Sequence, residues 1–364
     1  MTVNAVARIL EELAPLDYAE AFDNVGLLVG DGNSNVNGIL VTLDTLENVV
    51  DEAIDNNCNL IVSFHPIIFG GLKRITGKSY VERTVIKAIK NDIAIYAIHT
   101  ALDNCFTGVN AKICEVLGLG DTKILIPQKA TIKKLVTYVP SANGKELKTA
   151  LFAAGAGAIG NYSDCSFSVE GTGSFTAGEK ANPVKGSVGS VHYENETKIS
   201  VTFPKSAEKQ VIQSLLAHHP YEEVAYEITT LENLNQHIGM GMIGELESPM
   251  SETAFLTHLK EKMNASVVRH SGFRNKEVKK VAVLGGSGAF AIGAAKTAGA
   301  DVFVTADVKY HEFYQAENQL VIADIGHYET EQFTKNLLVD YLTKKIPNFA
   351  VRLSESITNP ITYF

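Results

Sequence analysis

Three short apolar runs, GILVTLD, NLIVSF and IAIYAIH, lie near the start of the chain, separated by helical stretches such as LENVVDEAIDN. Runs of this length and composition read as buried strands, and the amphipathic segments between them as helices. Strand and helix in alternation point to a mainly parallel sheet covered by helices, because parallel neighbours need a crossover connection. The alternation resumes late in the chain with KKVAVLGG, ADVFVTAD and NQLVIAD, and with AFAIGAAKTAG and ETEQFTKNLLVDYLTKK as helices. VNAVARILEELAPL adds apolar residues at helical spacing at the start.

The middle has a different grain. KKLVTYVPSANGKELKTALFAA and TKISVTFPKSAEKQVIQSLLAH share one layout: a strand closed by Pro140 or Pro204, a polar cap region, then an amphipathic helix. Between them lie strand-like DCSFSVEG and a glycine-rich stretch, GTGSFTAGEKANPVKGSVG, that reads as loop; EEVAYEITTL supplies a final strand. Two strand–helix–strand units in tandem suggest a ferredoxin-like α+β domain at 128–234. The expected fold is α/β: a discontinuous outer domain, 1–127 and 235–364, with this domain inserted.

A chain of 364 residues is long enough for two cores, and 45% apolar with 20% charged residues is a globular composition. The net charge of −9 and the lack of a Lys/Arg run argue against nucleic acid as a partner. No stretch approaches the roughly 18 apolar residues of a membrane span and no leader pattern opens the chain, so no membrane partner and a cytoplasmic location are expected. Cys58, Cys105, Cys114 and Cys165 form no C-x-x-C pair and read as reduced thiols.

Four histidines follow strand-like runs of the outer domain: His65 after NLIVSF, His99 after IAIYAI, His311 a few residues past ADVFVTAD, and His327 after NQLVIAD. Ligands of open α/β sheets bind at the carboxyl ends of the strands, where distant residues converge. Carboxylates recur four residues from these histidines: Asp103 after His99, Asp307 before His311 and Glu331 after His327. On a helical turn such pairs face one way. Imidazole with carboxylate is a ligand set for Zn, Mn or Fe, and a carboxylate can bridge two ions about 3.5–4 Å apart.

Two other patterns carry less. Gly286-x-Gly288-x-x-Ala291 follows a strand and precedes a helix, as in dinucleotide-binding turns, with Asp307 where a ribose-binding acid would fall. The unit opens late in the chain, and a tight strand-to-helix turn explains the glycines equally. His218 and His219 sit at a helix end, where histidine complements the helix dipole.

At these residues the sequence resembles the GTP cyclohydrolase I type 2 homologue family of dimetal proteins, over nearly its whole length. The marks are FDNVGLLVGD, FHPIIF, HTALDN, GGSGAF, TADVKYH and DIGHYETE, in that order. FAAGAGAIGNYSDCSFSVEGTGSF and HHPYEEVAYEI resemble the CutA/PII-like insert of the longer members. The resemblance implies a ring-shaped homohexamer with one or two divalent ions per site. Carried over, the metal ligands are His65, Asp103, His327 and a bridging Glu331. The family's first motif usually reads His-His-Pro, and here Phe64 stands at the first imidazole. Phe64 then either packs against the apolar wall or leaves a coordination position open to water, and either the second ion binds more weakly or a neighbour such as His99 or His311 swings in. Ala306 stands where the family commonly has glycine, which matters only at positive φ.

Two functions are expected in the alternative. One is a metal-dependent hydrolase, in which a metal-activated water attacks a nucleotide or related small molecule and His99 or His311 shuttles the proton. The other is a non-catalytic assembly that senses a metal or a small-molecule ligand, with the insert as reporter or cap. No P-loop or guanine-reading N-K-x-D is present.

Overall fold

The apolar runs of the outer segments fold into two sheets. A computed structural model describes residues 1–364, and the chain divides into two units, Met1–Pro127 with Gln236–Phe364, and Gln128–Asn235. In the first unit one sheet has the order Gly26–Val29, Ala94–Ala97, Leu60–Ser63, Ile39–Thr42, Val351–Leu353. Four of these strands are parallel neighbours, and Gly26–Val29 runs antiparallel at the edge. Both faces are covered: Val41, Val62 and Tyr96 point to one core, Leu40, Ile61 and Ile95 to another. Burial on two sides is why these segments are continuous apolar runs rather than alternating ones.

The second sheet has the order Arg269–His270, Val321–Asp324, Val302–Ala306, Glu277–Ser287, Asn235–Ser251, Leu119–Gln128. Its parallel part is Glu277–Ser287, Val302–Ala306 and Val321–Asp324. Arg269–His270 and Asn235–Ser251 pair antiparallel, so this sheet is more mixed than the strand–helix alternation alone predicts. Within the long Asn235–Ser251 strand, Met242 to Leu246 alternate between buried and half-exposed residues, the pattern of a strand with one wetted face.

Helices Val3–Leu13, Val109–Leu117, Glu252–Lys262 and Thr334–Lys345 share one core with the inward residues of both sheets, including Val283, Val304 and Ala323. Helices Glu47–Asp55 and Tyr80–Lys90 cover the far side of the first sheet, and Ile292–Thr297 that of the second. Side-chain oxygens of Thr2, Ser79 and Ser251 cap the first amides of their helices at 3.2–3.3 Å, satisfying donors that a helix start leaves unpaired.

The second unit has a four-stranded antiparallel sheet in the order Phe167–Thr176, Val191–Pro204, Ile132–Pro140, Tyr226–Leu231. With helices Gly144–Ala153 and Glu208–His218 this is the split βαβ arrangement of ferredoxin-like domains. Pro140 and Pro204 end their strands, and short 3-10 turns, Ser141–Asn143 and Lys205–Ala207, lead into the helices. Leu135, Val139, Ile199, Val201 and Phe203 pack beneath Leu147, Leu151, Val211 and Leu215. GTGSFT, expected as loop, instead continues the Phe167–Thr176 strand. Glycines on this exposed edge strand remove the apolar alternation by which a strand is recognised. His219 donates from Nε2 to the Tyr138 carbonyl at 2.9 Å and accepts from the Tyr221 amide at 3.1 Å, and His218 Nδ1 meets the Ser214 carbonyl at 2.8 Å. His218 thus serves the last turn of its own helix, and His219 ties the segment after it to the central strand.

Candidate metal centre

The parallel register of the first sheet lines up a row of side chains. Thr42, Ser63 and Ala97 are the last residues of their strands and face one another across the sheet. Two residues beyond each lie Asp44, His65 and His99. The ladder persists past the strand ends: the His65 amide donates to the Leu43 carbonyl and the His99 amide to the Phe64 carbonyl, both at 2.9 Å. His65 Nδ1 consequently donates to Asp44 Oδ1 at 2.7 Å, and the His65 and His99 rings lie 5.2 Å apart, edge to face.

The second sheet supplies the opposite side. Asp307 follows the Val302–Ala306 strand, and the five-residue helix His327–Glu331 opens after Val321–Asp324. Its i, i+4 spacing turns His327 and Glu331 the same way, and His327 Nδ1 donates to Asp307 Oδ2 at 2.7 Å. Donor atoms of His65, His327 and Glu331 all lie within 4.8 Å of one another. His65 Nε2 is 3.0 Å and His327 Nε2 3.3 Å from Glu331 Oε2. His65 Nε2 and Glu331 Oε2 are nevertheless buried and without a hydrogen-bond partner, as is Asp103 Oδ1. Short separation without hydrogen-bond alignment is what donor atoms aimed at a common point produce.

The donor chemistry fits a divalent cation. Each imidazole has its Nδ1 proton held by a carboxylate, which directs the Nε2 lone pair into the pocket. Where no cation balances the carboxylates, protons do. Burial alone would lower the His65 pKa, but Asp44 and Glu331 outweigh it and push it up to about 10. His327 is likewise pushed up to about 9, burial again being overcome, here by Glu331 and Asp307. Burial, with the Glu331 charge, holds the Asp103 carboxyl well above the usual range. Glu331 is held below that range, since contacts with His327 and His65 overcome its own burial.

Around these donors the backbone is specialised. Gly286 has φ +67°, and a Cβ there would lie 2.5 Å from Glu331 Oε1 and 3.3 Å from His327, so only glycine lets the carboxylate approach the strand end. The Gly286 amide donates to Thr330 Oγ1 at 2.9 Å. Asn110 donates to the Asp103 carbonyl at 3.1 Å and accepts from the Gly285 amide at 3.0 Å, tying the His99–Asp103 helix to the second sheet. His99 and Asp307 adopt positive φ, 22° and 56°, strain of the sort that collects at functional sites. Ala306 does not, so its methyl group costs nothing in backbone strain.

His99 and His311, the two histidines expected to move protons, are placed differently. His99 Nδ1 donates to Asp23 Oδ1 at 2.8 Å, which leaves Nε2 outside that bond. Asp23 also accepts from the Thr100 amide and hydroxyl, and these bonds with His99 outweigh burial and lower its pKa to about 2. His311 is exposed on the 3-10 segment Tyr310–Ala316, its ring against Tyr310 and Tyr314. Its expected partner, Asp307, instead holds His327. Asp307 precedes that segment and sits at positive φ, so no continuous helical turn brings it onto the face of His311. Phe64 is fully buried, with its ring edge-on to His99 at 5.5 Å. It packs.

Asp44 and Asp23, which hold His65 and His99 at the candidate site, are residues that the sequence reasoning misses. Asp44 ends GILVTLD, so the strand-end rule that singles out the histidines also reaches it. Asp23 lies in a loop outside that rule, and its only mark in the sequence is its place in FDNVGLLVGD.

Two mixed sheets whose parallel strands bring imidazoles and carboxylates together at their ends define an α/β protein with a possible metal site. Residues 1–360 match the model of the Duf34/NIF3 (NGG1p interacting factor 3) family, and the chain belongs to that family. A Bacillus subtilis relative, called GTP cyclohydrolase 1 type 2 homolog, is 41% identical over 364 residues, covering 98% of this chain and 97% of its own. A Halalkalibacterium halodurans protein of the same description is 37% identical, covering 98% of each. Among solved structures, a Bacillus cereus protein related to NIF3 superposes with TM-score 0.86 at 38% identity, over 100% of this chain and 99% of that one.

Proposed function

We propose that this chain holds a divalent cation of the Zn, Mn or Fe type through His65, His327 and Glu331, with Asp103 as a further carboxylate, and uses it to hydrolyse a nucleotide or related small molecule. The observation that carries this reading is the convergence of His65 Nε2, His327 Nε2 and Glu331 Oε2, two of them buried and unpartnered. Buried polar atoms without partners are costly and call for an explanation, which a cation provides. When bound, such an ion supplies Lewis acidity and makes water acidic near neutral pH. Asp44 and Asp307 keep the two imidazoles in the tautomer that ligates. His99, fixed through Nδ1 by Asp23, presents Nε2 as the nitrogen that takes up and returns a proton. His311, out at the surface, is at most a relay to solvent.

Phe64 favours a second reading, a metal- or ligand-sensing assembly. Its buried ring fills space beside His65 and His99 with a group that cannot ligate, and that points to one ion per chain. The ring-shaped homohexamer and the CutA/PII kinship of the insert belong to both readings; the strand order of the insert supports the latter.

Elemental analysis of protein purified without chelator, together with hydrolysis assays on GTP and simple phosphoesters, tests these readings. The hydrolase reading expects about one ion per chain and turnover that disappears in Glu331→Gln while the oligomer persists. Full occupancy without turnover of any substrate favours sensing. Failure to retain Zn, Mn or Fe in any form overturns the hydrolase reading and leaves, of the second, only the sensing of a small-molecule ligand.

A further inference from the structure

The ferredoxin-like unit buries only one face of its sheet. Ile199, Val201 and Phe203 lie under the two helices, so residues out of phase with them face the other way. Register places Val169 opposite Lys198, Gly171 opposite Glu196, and Lys198 opposite Tyr138, all on this helix-free side. Residues 177–189 close over it: the Gly189 amide donates to the Ala177 carbonyl at 2.9 Å, and the Asn182 amide donates to Glu222 Oε1 at 2.9 Å.

Between the sheet, this loop and residues 221–225 lies a cavity of about 690 Å³, within the range of small-molecule sites. Its walls are mostly apolar, with Val169, Pro183, Val184 and the rings of Tyr138, Phe175 and Tyr221. The Phe175 and Tyr221 rings stand 6.1 Å apart at a steep angle. Tyr221 Oη donates to Glu196 Oε1 at 2.8 Å, orienting one carboxylate among these rings. Burial and the Glu196 charge push the Tyr221 pKa up, so the phenol remains a donor. On the cavity side the lining carries the carboxylates of Glu196, Glu222 and Glu223 against two lysines, Lys185 and Lys198, Glu170 being paired with Thr197 on the helix-covered face, and Lys198 Nζ sits 5.8 Å over the Tyr138 ring. That balance repels phosphates and carboxylates and suits a cation.

We propose that this cavity is a second binding site, for a small aromatic amine: a flat ring held among Tyr138, Phe175 and Tyr221, with its ammonium group on Glu196. The site lies wholly within the inserted unit and is independent of the metal reading. Aromatic faces attract both flat rings and ammonium groups, and Glu196 sets the polarity of the ligand.

The chain contains no tryptophan, so an indole probe reports its own binding without background. Tryptamine and indole-3-propionate, matched rings of opposite charge, are titrated with the full chain after chelator treatment, and indole anisotropy is read. Tryptamine is expected to saturate and the acid to bind about tenfold more weakly or worse, while Glu196→Gln weakens tryptamine about tenfold. Gly171→Phe is expected to abolish binding. A Cβ on Gly171 meets nothing within 4 Å, so a ring there fills the cavity rather than the core, and a thermal melt verifies folding. If that variant fails to fold, Glu196→Gln decides. No anisotropy rise up to millimolar protein, equal affinity for the acid, or tryptamine affinity unchanged in Glu196→Gln or in folded Gly171→Phe overturns the proposal.

Discussion

His65 Nε2 and Glu331 Oε2 stand 3.0 Å apart, both out of reach of water, yet are not aligned as a hydrogen bond. The one comes from the first sheet and the other from the helix behind the second. Their separation makes sense when a third body sits between them, and most consequences concern what that body is and what holds the pair in place.

Asp44→Asn and Asp307→Asn leave every direct ligand intact but release the Nδ1 side of His65 or His327. Loss of such support typically costs about 10–100-fold in metal affinity. Competition with a chromophoric chelator should show this for each variant, with folding unchanged. Affinity equal to the parent in both would mean that the two aspartates do not orient ligands.

Cation binding should release protons. With His65 raised to about 10 and His327 to about 9, both imidazoles carry a proton at neutral pH when no cation is present, and both must lose it to ligate. Affinity therefore rises with pH, and calorimetry in buffers of different ionisation enthalpy should detect about two protons per ion from the imidazoles, with any proton displaced from Asp103 in addition. In the cation-free protein the sign of the stability effect is opposite. Stabilisation by these raised groups is full below the unfolded value of about 6.5 and fades as pH climbs through 9 to 10.

Gly286→Ala places a methyl group against Glu331 Oε1 at a backbone angle that favours glycine. A loss of more than about 1 kcal/mol is expected from strain alone, together with reduced cation retention as Glu331 is displaced. Thermal melts with and without added cation separate the two effects.

Phe64→His would bury an imidazole where a ring now packs with no exposure. The cation-free variant should melt earlier than the parent, since a buried polar ring without a partner is costly. Added Zn or Mn should restore the loss and raise the ion count per chain. An unchanged count by elemental analysis would show that the neighbourhood of His99 and Asp23 does not bind a second ion.

Far from the centre, Asp301 accepts from the amides of Lys279 and Lys280 and from Arg274. Those bonds overcome burial and lower its pKa. A depressed carboxylate stabilises above its unfolded value of about 3.9 and ceases to do so as pH falls below it. Asp301→Asn should therefore be less stable than the parent at pH 7, with the gap narrowing in acid, as denaturant midpoints across pH will report.

Much of the outer unit is legible in its sequence because strands buried on both faces must be apolar throughout, and LIVS, AIYA and VIAD offer no other reading. His65, His327 and Glu331 are legible for a related reason: residues just past parallel strands share one end of a sheet. What escapes is lateral. Nothing in the spacing of Asp307 and His311 reveals that Asp307 turns to His327, because that pairing depends on a positive-φ turn and on a neighbouring strand. The strand through GTGSFT escapes because glycines carry no side chains to alternate. The aromatic cavity is hidden altogether, since Tyr138, Phe175, Glu196 and Tyr221 come together only through register and loop closure.

The two sheets that carry the candidate cation ligands are encoded on either side of the inserted unit, and this orders events during synthesis. A ribosome that has made His65, His99 and Asp103 must still translate the whole insert and most of the second outer segment before Glu331 emerges. Until then the nascent chain exposes imidazoles and carboxylates without their counterparts. On the proposed reading, cation capture therefore waits for the second outer segment, and a product truncated before the His327–Glu331 helix would hold only part of the candidate ligand set.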